Sequence, residues 1–195
     1  MREKKGLVTG LVIGLAVGAI SLTAVGAGAV NTTEDRPFDG ILGGTSTSTV
    51  SGGSVSSVST GTLKANHMGK GTYEIRAGQD YARHANNEEH PDGDCAFVED
   101  GTTTPGVTLT AANGDKVFGD IDDDRSEICV SEEAAGPGPD SAYLSTLYVD
   151  IVGGTGRFAD ATGWFFTRGE SRLTGGNMMS ATFDDSGVLM GNIDY

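Results

Sequence analysis

Over most of this chain apolar residues recur at every second position rather than every third or fourth. Between Tyr143 and Val152, the side chains of Tyr143, Leu147, Val149 and Ile151 share one face, and Thr146, Tyr148 and Asp150 take the other. That is the period of a half-buried strand. Tyr73, Ile75 and Ala77 alternate in the same way with Thr72, Glu74 and Arg76, and Val107, Leu109 and Ala111 with Thr108 and Thr110. The latter run enters Asn113-Gly114 and leaves through Val117, Gly119 and Ile121. Asn-Gly between two alternating runs predicts a hairpin on a type I′ turn, which needs positive φ at both central residues. Val55, Leu63 and Ala65 share a parity in a Ser/Thr-rich setting and predict another strand. Cys95–Val98 and Ile128–Val130 predict two short ones. His67-Met68-Gly69 reads as a turn, with His67 as a structural hydrogen-bonder. Near the end, Met179, Ala181 and Phe183 alternate with Ser180, Thr182 and Asp184. Asp185-Ser186-Gly187 has turn composition, and Leu189, Gly191, Ile193 and Tyr195 finish on one parity, so a last hairpin is predicted.

About eight short strands and no amphipathic helix of useful length predict an all-β protein: a single antiparallel closed barrel, calycin-like, whose first and last strands pair. Gly119, Gly163 and Gly191 fall inside strands, where a small barrel must bend. The polar stretches Gly78–Asp94 and Asp120–Asp140 read as long loops. Glycine accounts for 31 of 195 residues, and without a triplet period these mark turns and bends rather than collagen.

The start adds a different element. Arg2, Lys4 and Lys5 precede an apolar run from Leu7 to Val25, followed by Ala27-Gly28-Ala29. These are the three parts of a secretory signal, with cleavage expected after Ala29; the alternative is an uncleaved anchor, the only membrane contact the sequence suggests. Residues 30–50, rich in Gly, Thr and Ser, read as a flexible leader, and Asn31-Thr32-Thr33 fits a glycosylation acceptor. The barrel domain is then 51–195, in a secreted or extracytoplasmic protein. Cleavage removes Arg2, Lys4 and Lys5 against Glu3 and moves the formal charge from −14 to −16. So acidic a surface repels phosphate backbones, which excludes nucleic acid as a partner class. Cys95 and Cys129 are the only cysteines. An even count in an exported chain reads as one disulfide, with two free thiols as the runner-up.

Four patterns carry candidate chemistry. Gly153-Gly154-Thr155-Gly156-Arg157-Phe158-Ala159 has the G-x-G-x-x-A spacing of a dinucleotide loop, but Gly163-Trp164-Phe165-Phe166-Thr167 follows where a helix would be needed. The segment therefore reads as a structural turn, Gly153, Gly154, Gly156 and Arg157 shaping it and Phe158 plugging it. No cofactor is implied. His84, Glu88, Glu89, His90, Asp92 and Asp94 form a polar cluster with metal-ligand chemistry, centred on His84, His90, Asp92 and Asp94, although a solvated loop is the ordinary reading. Asp120, Asp122, Asp123 and Asp124 invite calcium, yet Arg125 stands where an EF-hand needs Gly. Trp164 and Phe166 share a strand face continued by Arg168, Glu170 and Arg172, either a pocket wall or packing. Neither a G-x-S-x-G elbow nor a Cys-His signature is present, so catalytic residues stay unassigned.

Three stretches resemble the allene oxide cyclase-like and dirigent-like β-barrel family, as in its small exported bacterial members: His67–Tyr73, Ala112–Phe118 and Gly153–Gly163. The resemblance covers most of the region from about Ser51 to Tyr195. It implies an eight-stranded barrel with a central cavity, often in homo-oligomers. The matched stretches are corners and hairpins, so they imply fold rather than chemistry. The functional expectation is a non-enzymatic barrel that binds a small apolar or amphipathic ligand, or an extracellular interaction module. The alternative is an isomerase or cyclase acting on a hydrophobic substrate in the cavity.

If the signal reading holds, intact-mass analysis of the exported protein finds a chain beginning at Val30. Exported chain that still carries Met1–Ala29 contradicts it.

Overall fold

The computed structural model of the chain describes residues 35–84, 95–101, 105–130, 142–177 and 179–195, with the backbone alone at 80–84. The expected signal segment at 1–29 and the acceptor at Asn31 lie outside these residues. The described residues form eleven strands: β1 (Arg36–Pro37), β2 (Gly40–Ser51), β3 (Ser54–Ala65), β4 (Gly69–His84), β5 (Cys95–Asp100), β6 (Val107–Ala111), β7 (Lys116–Ile121), β8 (Glu127–Val130), β9 (Ala142–Gly154), β10 (Thr162–Asn177) and β11 (Ser180–Asp194). A 3-10 turn, Gly156–Phe158, links β9 to β10.

All pairings are antiparallel, and the sheet closes in a ring of eight strands: β2, β3, β4, β5, β8, β9, β10 and β11, with β11 returning to β2. The ring forks. The early part of β4, Gly71–Ile75, pairs with β6, and its later part with β5. The late part of β9 pairs with β7, and its early part with β8. Two circuits of eight therefore share six long strands, one circuit closing through the β6–β7 hairpin and the other through β5 and β8. Asp100 sits where they diverge, and its Oδ1 accepts the Ile121 N–H at 2.8 Å. Burial pushes its carboxyl pKa up, the Ile121 hydrogen bond pulls it back, and the Asp120 and Asp123 charges add to the rise.

The two levels are filled differently. At the β6–β7 level the inward row is large and apolar: Leu63, Leu109, Val117, Ile151, Phe165, Leu189 and Ile193 pack as one core around Phe38 and Phe158. Phe38 and Phe158 are fully buried. The Phe158 ring stacks edge-on against Tyr195 at 4.8 Å, and that of Phe38 against Phe165 at 5.8 Å. Burying each such ring contributes about 1.5–3 kcal/mol. Arg157, next to the plug, donates to the His67 carbonyl at 2.5 Å, tying the β9–β10 corner to the β3–β4 turn. His67 itself holds φ 64 and stands edge-on to Tyr195 at 6.0 Å.

Several expectations are corrected. The segment read as a flexible leader, 30–50, is strand at Arg36–Pro37 and from Gly40 onward, with β2 lying between β11 and β3. Its inward row is Leu42, Gly44, Ser46, Ser48 and Val50, too polar in the middle to give an apolar period. The polar stretch from Gly78 is strand as far as His84. The Asn-Gly hairpin forms, but not on a type I′ turn. Gly114 N–H donates to the Ala111 carbonyl at 2.9 Å and Gly114 alone has positive φ, 89°. This is a three-residue loop built on a type I turn with a left-handed glycine, favoured because Asn113 Oδ1 accepts the Asp115 N–H at 3.1 Å. Finally, Asp185-Ser186-Gly187 is not a turn. β11 runs through it without a break, paired on both sides, and the reversal lies after Asn177 instead.

Cys95 and Cys129 are bonded directly across β5 and β8, with Cα atoms 4.0 Å apart. These strands share only three register pairs, so the disulfide secures the weakest joint of the circuit that closes through β5 and β8. Replacing both cysteines with alanine is expected to cost about 3–4 kcal/mol, the chain-entropy value for a loop of this length. Denaturant unfolding measures it; a loss below about 1 kcal/mol contradicts the assignment of the joint as weak.

Candidate functional site

Above the apolar core the ring is hollow. A cavity of about 930 Å³ occupies the level closed by β5 and β8. An eight-stranded ring is only wide enough to be filled by side chains or to hold one small molecule. Here the inward positions are small: Ser46 and Ser48 on β2, Ser57 and Ser59 on β3, Ala77 on β4, Ser145 on β9, and Gly169 and Ser171 on β10. The apolar wall comes from Val50, Val55, Val98, Ile128, Leu147 and Leu173, with the disulfide contributing Cys95. Tyr143 and Phe183 stand edge-to-face in this wall at 5.6 Å.

A carboxylate lies inside. Asp185, on β11, projects from the same strand face as Phe183 and accepts hydrogen bonds from Ser46 Oγ at 3.0 Å and Ser59 Oγ at 2.5 Å, one on each oxygen. Ser59 Oγ also shares a hydrogen bond with the Tyr73 hydroxyl at 3.4 Å. The register sets this up: Asp185 faces Gly44 across β2, and Ser59 faces Ser46 across the β2–β3 pair. Gly44 is required, because a Cβ there would lie 2.7 Å from the Tyr73 oxygen and closer still to the Thr60 carbonyl. Tyr73 is 4% exposed. Burial pushes its phenol above the ordinary value of 10.0; the Ser59 hydrogen bond offsets part of this and the Asp185 charge adds to it. The phenol thus remains a proton-bearing hydrogen-bond partner through the physiological range. Among the described residues no Lys, Arg or His lines the cavity. Glu170, at its rim, is paired with Arg172 at 2.6 Å.

The residues singled out from sequence are placed as follows. Trp164 and Phe166 are not a pocket wall. They lie on the outer face of β10, Trp164 at 45% exposure and the Phe166 ring 5.7 Å from Tyr148. The inward parity of β10 belongs to Phe165 and Thr167; with aromatics at three successive positions, alternation cannot choose the phase. Gly153, Gly154, Gly156, Arg157 and Phe158 form the β9–β10 corner at the filled end, away from the cavity. Glu88, Glu89, His90, Asp92 and Asp94 lie outside the described residues, and His84 is described by its backbone alone. Asp122 ends β7 in a tight turn, its Oδ1 accepting the Asp124 N–H at 3.2 Å and its other oxygen 3.7 Å from Arg125. Among the described residues the carboxylates Asp120, Asp122, Asp123 and Asp124 do not converge on a common point. The Cys95, Glu127 and Cys129 side chains do converge, but the disulfide occupies both sulfurs.

Asp185, Ser46, Ser59 and Tyr73 were not singled out as site residues in the sequence. One signal was available: Phe183, Asp185, Gly187, Leu189, Gly191 and Ile193 keep a single parity through the supposed turn, placing the aspartate on the inward face. No family model matches the chain, nor does any curated protein or solved structure.

The raised Tyr73 pKa has a sign for stability. The buried phenol keeps its proton where the unfolded one loses it, so its contribution is complete below the ordinary phenol value and is lost as pH rises through the raised one. The melting-temperature difference between wild type and Tyr73→Phe is therefore expected to shrink as alkaline pH is approached and passed. A difference constant across that range contradicts the burial of the phenol.

Proposed function

We propose that the protein is an exported closed barrel that binds a small amphipathic molecule within the ring. The observation that carries this reading is the cavity itself: about 930 Å³, apolar at its walls, polar at its floor, and set above a core that already stabilises the fold. Ligand sites of small molecules typically span about 300–1,000 Å³ with mainly apolar linings and a few placed polar groups. Leaving so much volume unfilled costs packing energy that a purely structural ring would recover with larger side chains. The disulfide fits an oxidising, extracytoplasmic setting, in accord with the signal-like N-terminus. The resemblance to allene oxide cyclase-like barrels supports the same architecture.

The isomerase or cyclase reading has one observation in its favour: Asp185 and Tyr73, a carboxylate and a phenol, are joined through Ser59 inside the cavity. Such a pair can take and return a proton. Binding is the simpler reading, because it needs only the cavity and its lining.

Titration with Nile red, a neutral apolar dye, tests the cavity directly. Saturable binding of one dye per chain is expected in wild type, and its loss is expected in Ser145→Trp, where the indole fills the cavity from β9. Overpacking at such a site costs about 1–3 kcal/mol, so the variant should stay folded, which its circular dichroism checks. Absence of saturable binding in wild type, or undiminished binding in the folded variant, contradicts the proposal.

A further inference from the structure

The cavity described above has a feature that its size alone does not require: a negative charge at the floor with no positive charge among the described lining residues to answer it. We infer that the molecule bound there carries an ammonium group, held by Asp185, with its apolar portion running up the wall toward the open end; this rests on the binding reading just proposed.

The first argument is valence. A carboxylate offers about four lone-pair sites, and among the described residues Asp185 receives two hydrogen bonds, from Ser46 and Ser59. Asp185 itself lines the cavity, so a bound group can reach it there. The second is charge. The lining contains no Lys, Arg or His among the described residues, and the second carboxylate at its rim, Glu170, is already paired with Arg172. A charge taken partly out of water and left unpaired is unfavourable unless something supplies the counter-charge. Here the open space beside it is where that counter-charge fits.

The third is the neighbourhood. Phe183 lies two residues before Asp185 on the same strand face, and Tyr143 meets it edge-to-face at 5.6 Å. A carboxylate below aromatic rings suits an alkylammonium, because the rings' π faces attract a cation and accept its methylenes. Both chemistries are set along one line, from Asp185 at the floor through Phe183 to Ala181 and the mouth. The fourth argument is exclusion. A fatty acid, the commonest type of amphiphile with the opposite head charge, would bring its carboxylate against Asp185. It would also have to approach a chain whose formal charge is −14, and like charges disfavour both encounter and binding. A neutral alcohol meets neither the attraction nor the repulsion.

The test compares three probes of one chain length, dodecylamine, dodecanol and dodecanoic acid. All are kept below their micellar concentrations and read by displacement of Nile red from the wild-type protein. The amine is expected to bind roughly ten- to a hundredfold more tightly than the alcohol, as a hydrogen-bonded charge contact allows, and the acid more weakly than either. In Asp185→Asn the amide oxygen can still accept from one serine while the amide NH2 donates to the hydroxyl oxygen of the other, and with the charge gone the amine-to-alcohol ratio should fall to about one. That ratio is measured within each protein, so a variant weakened overall still reports. If Asp185→Asn does not fold, the order of the three probes on wild type decides alone. Equal affinity for amine and alcohol, or tighter binding of the acid, overturns the inference while leaving the cavity reading intact. Failure of all three to displace a dye that binds places the dye elsewhere and overturns both.

Discussion

Closure of the sheet by β2 against β11 is the constraint from which the other features follow. The two strands share ten register pairs, Ser180–Leu189 against Thr49–Gly40, and this pairing removes the edges that an open sheet would present. It also decides the inside. Once β11 lies between β10 and β2, the alternation of each strand has an inward and an outward row, and a shift of one residue would exchange them throughout. Asp185, Ser46 and Ser59 meet because the registers of β11 with β2 and of β2 with β3 place them side by side.

Within that closed ring, side-chain size divides the interior into a core and a cavity. Where the inward rows carry Phe, Leu and Ile, with Phe158 and Phe38 inserted from the connections, space is filled and the fold gains its burial energy. Where they carry Ser, Gly and Ala, the same number of strands encloses open volume. The division coincides with the fork in the sheet. The β6–β7 hairpin closes the filled level, whereas the shorter β5 and β8 close the hollow one and need the Cys95–Cys129 bond to hold them. The filled core and the open cavity thus occupy different levels of one ring, and the polar lining of the cavity does not weaken the core.

Much of this was legible in the sequence because alternation is read from side chains that contrast. β4, β6, β7 and β9 declare themselves through Tyr73, Leu109, Val117 and Val149 against polar partners, and the disulfide through two cysteines in a chain with an export-like start. The illegible parts are those where the interior is itself polar. β2 passes for a leader since Ser46 and Ser48 are inward yet hydrophilic. The middle of β11 passes for a turn since Asp185-Ser186-Gly187 has turn composition, although what holds it straight is pairing with β2 and β10, which local sequence does not encode. In β10, aromatics at 164, 165 and 166 hide the phase, so the sequence leaves Trp164 open between a pocket wall and packing, whereas it faces outward. A cavity lined by polar side chains erases the hydrophobic contrast by which strands are recognised, and it therefore falls in the segments that are hardest to read.

Amide hydrogen exchange along β2 tests the closure most directly. In a closed ring the β2 amides between Gly40 and Ser51 are bonded to β3 or β11 and should exchange as slowly as those of β3 and β4, with β11 protected equally over Ser180–Leu189. Rapid exchange of the β2 amides that face β11, with those bonded to β3 still protected, would mean a sheet open at this seam with no enclosed cavity and would contradict the account.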